Sequence, residues 1–374
     1  MRAPPRRRTR VLHIIQNLNY GGMERLLNDM VRHADAERFE SHILVFQYLG
    51  RFAEGLEEFA GLHRAEPLAW YSMVWPDSLI RQIRSIAPDV VHMHSGVWYK
   101  ASLAARRAGV PRLIYTEHGR QRSPTWEERI FDGLAARWTD VVAAVSEAVA
   151  HQLSGTLVRE PEKLRVVLNG VDVARFRPAP DSGKLRAELG IRAYAPILGS
   201  IGRLEQIKGY DVMVRAFAEL LARWEEGVAP VLVVAGDGAE RPRLEALARE
   251  LGVEESVHLL GWRDDVHDLH SAFTLFTMAS RSEGTSVSLL EAMSAGLCPV
   301  ITDVGGNAAV LGPRLRGRLV PAEQAGALAA AWRGALTNAL GRDADGRAAR
   351  ERVTEAFGLE AMVGHYQQLY LGAA

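Results

Sequence analysis

The chain repeats one pattern: a short apolar run, a turn of small residues, then a longer stretch whose apolar positions recur every three or four residues. Val11–Leu18, Ser41–Phe46, Asp89–His94, Arg112–Glu117, Asp140–Val145 and Leu164–Leu168 predict strands. Met23–His33, Pro76–Ile86, Ala101–Ala108, Thr125–Trp138 and Glu147–Leu153 predict the helices between them. Such alternation belongs to a parallel sheet covered by helices on both faces. A polar stretch holding Pro178 and Pro180 interrupts it, so residues 173–195 are expected to form a linker. The alternation then restarts with strands at Ile197–Ile201, Val231–Ala235, Val257–Leu260, Thr274–Met278, Pro299–Thr302 and Arg318–Val320. Helices at Tyr210–Trp224 and Glu240–Leu251, and an Ala/Arg-rich helical end from Ala325 to Leu371, complete it. The expected class is α/β, with two doubly wound Rossmann-like domains, 11–172 and 196–358, facing across a cleft. In open α/β sheets ligands bind beyond the carboxyl ends of strands, so the strand-to-helix turns are where chemistry should lie.

Composition narrows this only a little. A length of 374 residues suits two domains, and 48% hydrophobic with 24% charged residues excludes a disordered or fibrous chain. Forty-five basic residues balance forty-five acidic ones, so no global field draws in nucleic acid and any anion recognition must be local. A single cysteine, Cys298, excludes a disulfide framework and a multi-thiolate zinc site, and fits a reducing compartment. No run of ~18 apolar residues predicts a membrane span. The first ten residues carry five arginines and two prolines and read as a basic disordered tail. That tail is either simply solvated or drawn to an anionic membrane surface, at about 1 kcal/mol per basic residue.

Candidate chemistry sits at the strand ends. After the first strand, Gly21-Gly22 opens a helix. Two glycines let the backbone approach a ligand near free N–H donors, although an ordinary turn would look the same. G-x-G-x-x-G and G-x-x-x-x-G-K-[ST] are both absent, which disfavours a dehydrogenase and a P-loop enzyme. Arg203, at a strand end, and Lys208, before the next helix, would suit a diphosphate if they are not simply solvated. Glu283 and Glu291 stand eight residues apart in an otherwise apolar or small stretch. Were the chain between them fully helical, they would lie ~12 Å apart, the reach of one extended ligand. Ionised carboxylates accept from vicinal hydroxyls. The N–H groups of Thr285, Ser286 and Val287, next to Gly284, would offer a phosphate site at a helix start. His118 follows a strand, where it is either a structural residue or one able to move a proton. His92 and His94 share one strand face, as two metal ligands do, but no further ligands follow at familiar spacing.

The ordered set of these pieces resembles the retaining glycosyltransferases of family 4, which have the two-lobed GT-B fold. It comprises Gly21-Gly22 with Glu24, the His118 region, Asn169-Gly170-Val171-Asp172 with Arg175-Phe176 and Pro178, and Gly202-Arg203 with Lys208-Gly209. Gly236-Asp237-Gly238, Gly261-Trp262, the Glu283/Glu291 pair and Asp303-Val304-Gly305-Gly306 follow in order. The resemblance implies transfer of a sugar from a nucleotide-diphosphate donor with retention, without metal or further cofactor. It implies that Arg203 and Lys208 neutralise the diphosphate, Glu283 holds the sugar and Glu291 the ribose. Gly22 would approach the phosphates and His118 the reacting sugar, while the backbone at Gly261-Trp262-Arg263 would meet the base. Residues 359–374 would form a helix crossing back to the first domain. A saccharide or lipid-linked saccharide acceptor at the cell envelope is implied, for a cytoplasmic enzyme, peripheral to the membrane if the tail binds there. Loops Gln47–Glu66 and Arg120–Glu128 would shape the acceptor site. The sequence departs from the family in lacking a glutamate after Gly305-Gly306, where Asn307-Ala308-Ala309-Val310 stands. Asp343 and Asp345 form an Asp-x-Asp in a polar stretch that reads as a loop. A nucleotide-sugar 2-epimerase and a non-catalytic sugar-nucleotide-binding protein are the alternative readings.

Overall fold

Strands form where apolar residues fill both faces. In the computed structural model, which describes residues 7–19, 21–68, 70–119 and 125–373, these strands build two parallel sheets. The chain divides into one unit of residues 1–170 with 359–374 and a second of 171–358. The first sheet contains β1 (Thr9–Ile15), β2 (Phe39–Val45), β3 (Ala60–Arg64), β4 (Val90–His94), β5 (Arg112–Glu117), β6 (Val141–Ala144) and β7 (Leu164–Val166). Its order is β3-β2-β1-β4-β5-β6-β7, so the winding reverses between β1 and β4. The second contains β8 (Ile197–Ile201), β9 (Val231–Ala235), β10 (Val257–Gly261), β11 (Leu275–Met278), β12 (Pro299–Thr302) and β13 (Leu319–Val320). Its order β10-β9-β8-β11-β12-β13 reverses between β8 and β11. These reversals select the turns after β1, β4, β8 and β11 as ligand-binding positions. Each unit is a Rossmann-like α/β domain.

Local chemistry explains the helices. In Asp77–Ile86 the buried Leu79, Ile80, Ile83 and Ile86 form one stripe, Asp77 meets the positive helix start, and Pro88 follows the end. Thr125 and Glu128 close a reciprocal capping box on Trp126–Trp138. β4 is buried over its whole length, which carries His92 and His94 into the core.

Four expectations need correction. β3 was not foreseen, because Ala60-Gly61-Leu62-His63-Arg64 lacks a strand-like apolar run; Gly61 is there because a Cβ would sit 2.4 Å from the His42 ring. The basic tail ends sooner than residue 10, since Thr9 and Arg10 already belong to β1. There Arg10 donates from its backbone to Asp89 (2.8 Å) and from its side chain to Ile86 O (2.7 Å). Residues 1–6 of that tail, Tyr20, Ala69 and residues 120–124 of the second loop lie outside the described residues. The stretch 173–195 is no free linker: Phe176, Leu185, Ile191 and Ala195 are buried in the second unit's core, and Lys184–Leu189 is helical. Asp343 and Asp345 lie within the helix Ala339–Ala356 rather than in a loop, and Asp345 pairs with Arg318 at 2.7 Å.

The last helix, Leu359–Leu371, packs on the first unit. Tyr370 Oη meets His92 Nδ1 at 2.8 Å, Thr116 Oγ1 donates to Tyr366 Oη at 3.2 Å, and Arg112 Nε donates to Leu369 O at 2.6 Å. Among the described residues, no helix is long and apolar enough to cross a membrane. Cys298 is buried, which pushes its thiol up to about 11 and keeps it protonated at neutral pH.

Candidate functional site

In the second unit, four turns, after β8, β9, β11 and β12, are pressed together backbone on backbone, and glycines make this possible. A Cβ on Gly236 would lie 2.0 Å from Gly202 O, and one on Gly238 2.4 Å from Leu204 O, so the turn after β9 lies against the turn after β8. Gly209, at φ 64, brings the next segment to Ala279 O, which a Cβ would approach to 2.0 Å. Gly305 meets Glu283 O in the same way, at 1.8 Å.

This packing brings Lys208 and Glu283 together. Lys208 Nζ lies 2.6 Å from Glu283 Oε1, and Ser280 donates to the same oxygen at 2.6 Å. The Glu283 side chain is only 7% exposed and that of Lys208 23%, so the pair is shielded from water. Arg281 fixes the loop from behind. Its guanidinium forks onto both Asp211 oxygens at 2.9 Å, bonds Glu323 and Gln206 O, and its backbone donates to Ile207 O at 2.8 Å. Arg203 points from the end of β8 to Glu205, 2.8 Å away, and is half-exposed.

The helix after this loop starts at Val287, with Ser286 Oγ accepting from Leu289 N. Gly284, Thr285 and Ser286 precede it, and Thr285 and Ser286 are buried. Only the second half of the Glu283–Glu291 spacing is therefore helical, so the ~12 Å separation of a continuous helix does not apply. Glu291 is buried within that helix.

Trp262 and Arg263 follow β10. Trp262 Nε1 donates to Asp264 at 2.9 Å. Arg263 is held by Asp265 and Glu188, each at 2.6 Å, and hydrogen bonds to both raise its pKa further. Its guanidinium is thus committed to protein carboxylates.

In the first unit, Gly21 caps the helix Gly22–Arg32, and Glu24 folds so close that a Cβ on Gly21 would sit 2.1 Å from its carboxylate. Gly50, which sequence reasoning missed, packs on the preceding loop, 2.5 Å from Asn19 Cα by the same construction. His118, just past β5, contacts His94 (Nε2 to Nδ1, 3.2 Å), and its backbone N–H donates to Ser95 Oγ at 2.9 Å. His94 Nε2 in turn meets His13 Nδ1 at 3.4 Å. His13 was also missed; the signal was a histidine in the otherwise apolar run Val11–Ile15. It supplies the third imidazole that spacing along the chain did not show. Ligand nitrogens of His13, His92 and His94 lie within 4.8 Å of one another. Both His92 nitrogens already have partners, Tyr370 Oη and Thr116 Oγ1, each at 2.8 Å. His92 therefore spends both its nitrogens on hydrogen bonds outside the cluster.

Residues 181–352 match the family Glycosyl transferases group 1, and residues 20–175 match Glycosyltransferase Family 4. The chain belongs to glycosyltransferase family 4. It is 28% identical over 310 residues to a putative glycosyltransferase, EpsF, of Bacillus subtilis, covering 79% of each chain. It is 29% identical over 243 residues to an Escherichia coli UDP-Gal:alpha-D-GlcNAc-diphosphoundecaprenol alpha-1,3-galactosyltransferase, covering 62% of each. The match therefore spans under two thirds of that second relative's length. The crystal structure of Anabaena HepE in complex with UDP and glucose superposes with a TM-score of 0.84 at 21% identity, over 97% of this chain and 100% of that one. The two parallel-sheet units of this family 4 chain are those of the GT-B fold.

Proposed function

We propose that this family 4 member transfers a sugar, with retention, from a nucleoside-diphosphate sugar to a saccharide or lipid-linked saccharide acceptor. The observation that carries the reading is the shielded contact of Lys208 with Glu283 at the winding reversal of the second sheet. An ammonium there faces the diphosphate, and Arg203 supplies the second cation as charge grows on the departing phosphate. The two cations supply the charge that a metal ion would otherwise bring. Among the described residues the side-chain hydrogen bonds of Glu283 fall on Oε1, which leaves Oε2 to accept from hydroxyls of the donor sugar. Glu291 takes the ribose, Thr285, Ser286 and Val287 offer backbone donors to phosphate, and the backbone at Trp262 meets the base. In the first unit, Gly21-Gly22 is the loop of close backbone approach and His118 the group beside the reacting sugar. The acceptor class is supported by the E. coli relative, named for a diphosphoundecaprenol-linked acceptor.

A thermal-shift panel of UDP, GDP, ADP and their common sugars tests this, because a ligand of the folded state raises apparent stability by mass action. One base should stand out. Lys208→Met should then lose most of that shift and lower transfer by ~10²–10³, while remaining folded. Transfer at the wild-type rate by Lys208→Met would refute the site. The anomeric configuration of the product, read by NMR, checks retention, and assay in a chelator checks metal independence.

A further inference from the structure

Three imidazoles in the first unit form a line: His118 Nε2 to His94 Nδ1 at 3.2 Å, then His94 Nε2 to His13 Nδ1 at 3.4 Å. Beyond His118 Nε2 the line stops, because His118 Nδ1 is enclosed and has no hydrogen-bond partner among the described residues. At the other end, His13 shares a cavity of about 10 Å³ with Ser41 and Gln367. His92 lies beside His94, its ring tilted by 33° with centres 4.3 Å apart, but bonds elsewhere.

Burial lowers His13 to about 3 and His118 to about 4, and burial with the neighbouring histidines holds His94 well below its ordinary range. All three rings are therefore neutral at pH 7, and a neutral imidazole has one donor nitrogen and one acceptor nitrogen. Two consecutive N–H···N bonds then allow only two arrangements. In one, His118 Nε2 donates to His94 and His94 Nε2 donates to His13, which leaves a lone pair on His118 Nδ1. In the other, every N–H is reversed, and His118 Nδ1 carries the proton. One proton entering at one end and one leaving at the other converts them.

We infer that His94 and His13 are positioning residues that tie the tautomer of His118 to their own, and with it whether Nδ1 carries a lone pair or an N–H. This rests on the reading that His118 faces the substrate. His13, two rings away, acts there only through His94.

The test is imidazole ¹⁵N NMR on the full chain. The wild-type protein should show His118 in one dominant neutral tautomer, with ¹⁵N–¹⁵N coupling across the His118–His94 bond. His13→Phe keeps a ring in place but leaves His94 Nε2 without its partner. It should shift the His118 tautomer ratio several-fold, because one arrangement then buries a bare N–H at His94 Nε2 and the other a bare lone pair, and the two differ in cost. His94→Asn should do the same, and His92→Phe, off the line, should not. An unchanged ratio in folded His13→Phe and His94→Asn overturns the inference; so does missing coupling in the wild type, a readout that needs no variant to fold. Stabilisation by added Zn²⁺ that disappears in His13→Phe also overturns it, by assigning these lone pairs to a metal. Full-rate transfer by His118→Ala would instead remove the substrate-facing reading, whatever the NMR shows.

Discussion

Gly209 links the fold to the proposed chemistry, and its substitution by alanine separates two costs. The residue sits at φ 64, where a Cβ costs ~1–2 kcal/mol, partly offset by the lower entropy of an unfolded alanine. Gly227 has the same φ of 64 with nothing within 4 Å of its would-be Cβ, so Gly227→Ala measures that backbone term alone. We expect a loss of about 0.5–1 kcal/mol there, with transfer unchanged. At Gly209 the new methyl would lie 2.0 Å from Ala279 O, a backbone atom that no rotamer change can move. Reaching an ordinary contact requires the two segments to part by more than an ångström, at a further ~1–3 kcal/mol. Lys208 is the adjacent residue and Ala279 adjoins Ser280, so the same movement opens the 2.6 Å contacts of Lys208 and Ser280 with Glu283. A misplacement of about 1 Å costs on the order of 10² in rate. Urea unfolding gives the stability difference, and donor-dependent thermal shift and transfer give the functional one. If Gly209→Ala matched Gly227→Ala in both, the claim that this close approach builds the site would be wrong.

His270 is buried among Phe176, Phe273 and Phe276, and neither ring nitrogen has a hydrogen-bond partner among the described residues. Its pKa is lowered to about 3, by burial first and then by the charge of His267. Below its ordinary pKa of 6.5, the unfolded chain binds a proton that the folded chain refuses, so stability falls as pH falls. His270→Leu should therefore stabilise the protein by about 1–2 kcal/mol at pH 7.5 and by about 2 kcal/mol more at pH 5, measured by urea unfolding. An equal gain at both pH values would contradict this. Ala87 ends a helix at φ 50, and Ala87→Gly should raise stability by about 0.5 kcal/mol in the same assay. Arg263→Ala should leave donor affinity within about twofold by titration, since its guanidinium serves a partly exposed ion-pair cluster worth little. A tenfold loss would put that side chain on the donor.

Much of the fold was legible from local order. β5, β8, β9 and β12 fall where the apolar runs place them, because a strand buried on both faces is mostly apolar and ends near small and polar residues. Lys208 and Glu283 were legible as residue types, an ammonium and a carboxylate at strand ends. Their contact was not, because it depends on Gly209 and Gly305 closing gaps between segments far apart in sequence.

The sequence by itself determined the alternation of strands and helices, the absence of a thiol-based scaffold, and the ordered motifs of the family. Only the tertiary structure decided which polar groups pair. It gave Arg263 to Asp265 and Glu188 and put Asp345 on a helix beside Arg318. It also assembled His13, His94 and His118 from β1, β4 and the end of β5. The physical reason is range: periodicity records which face of an element is buried, while a hydrogen bond or ion pair depends on distances that the winding of the sheet sets.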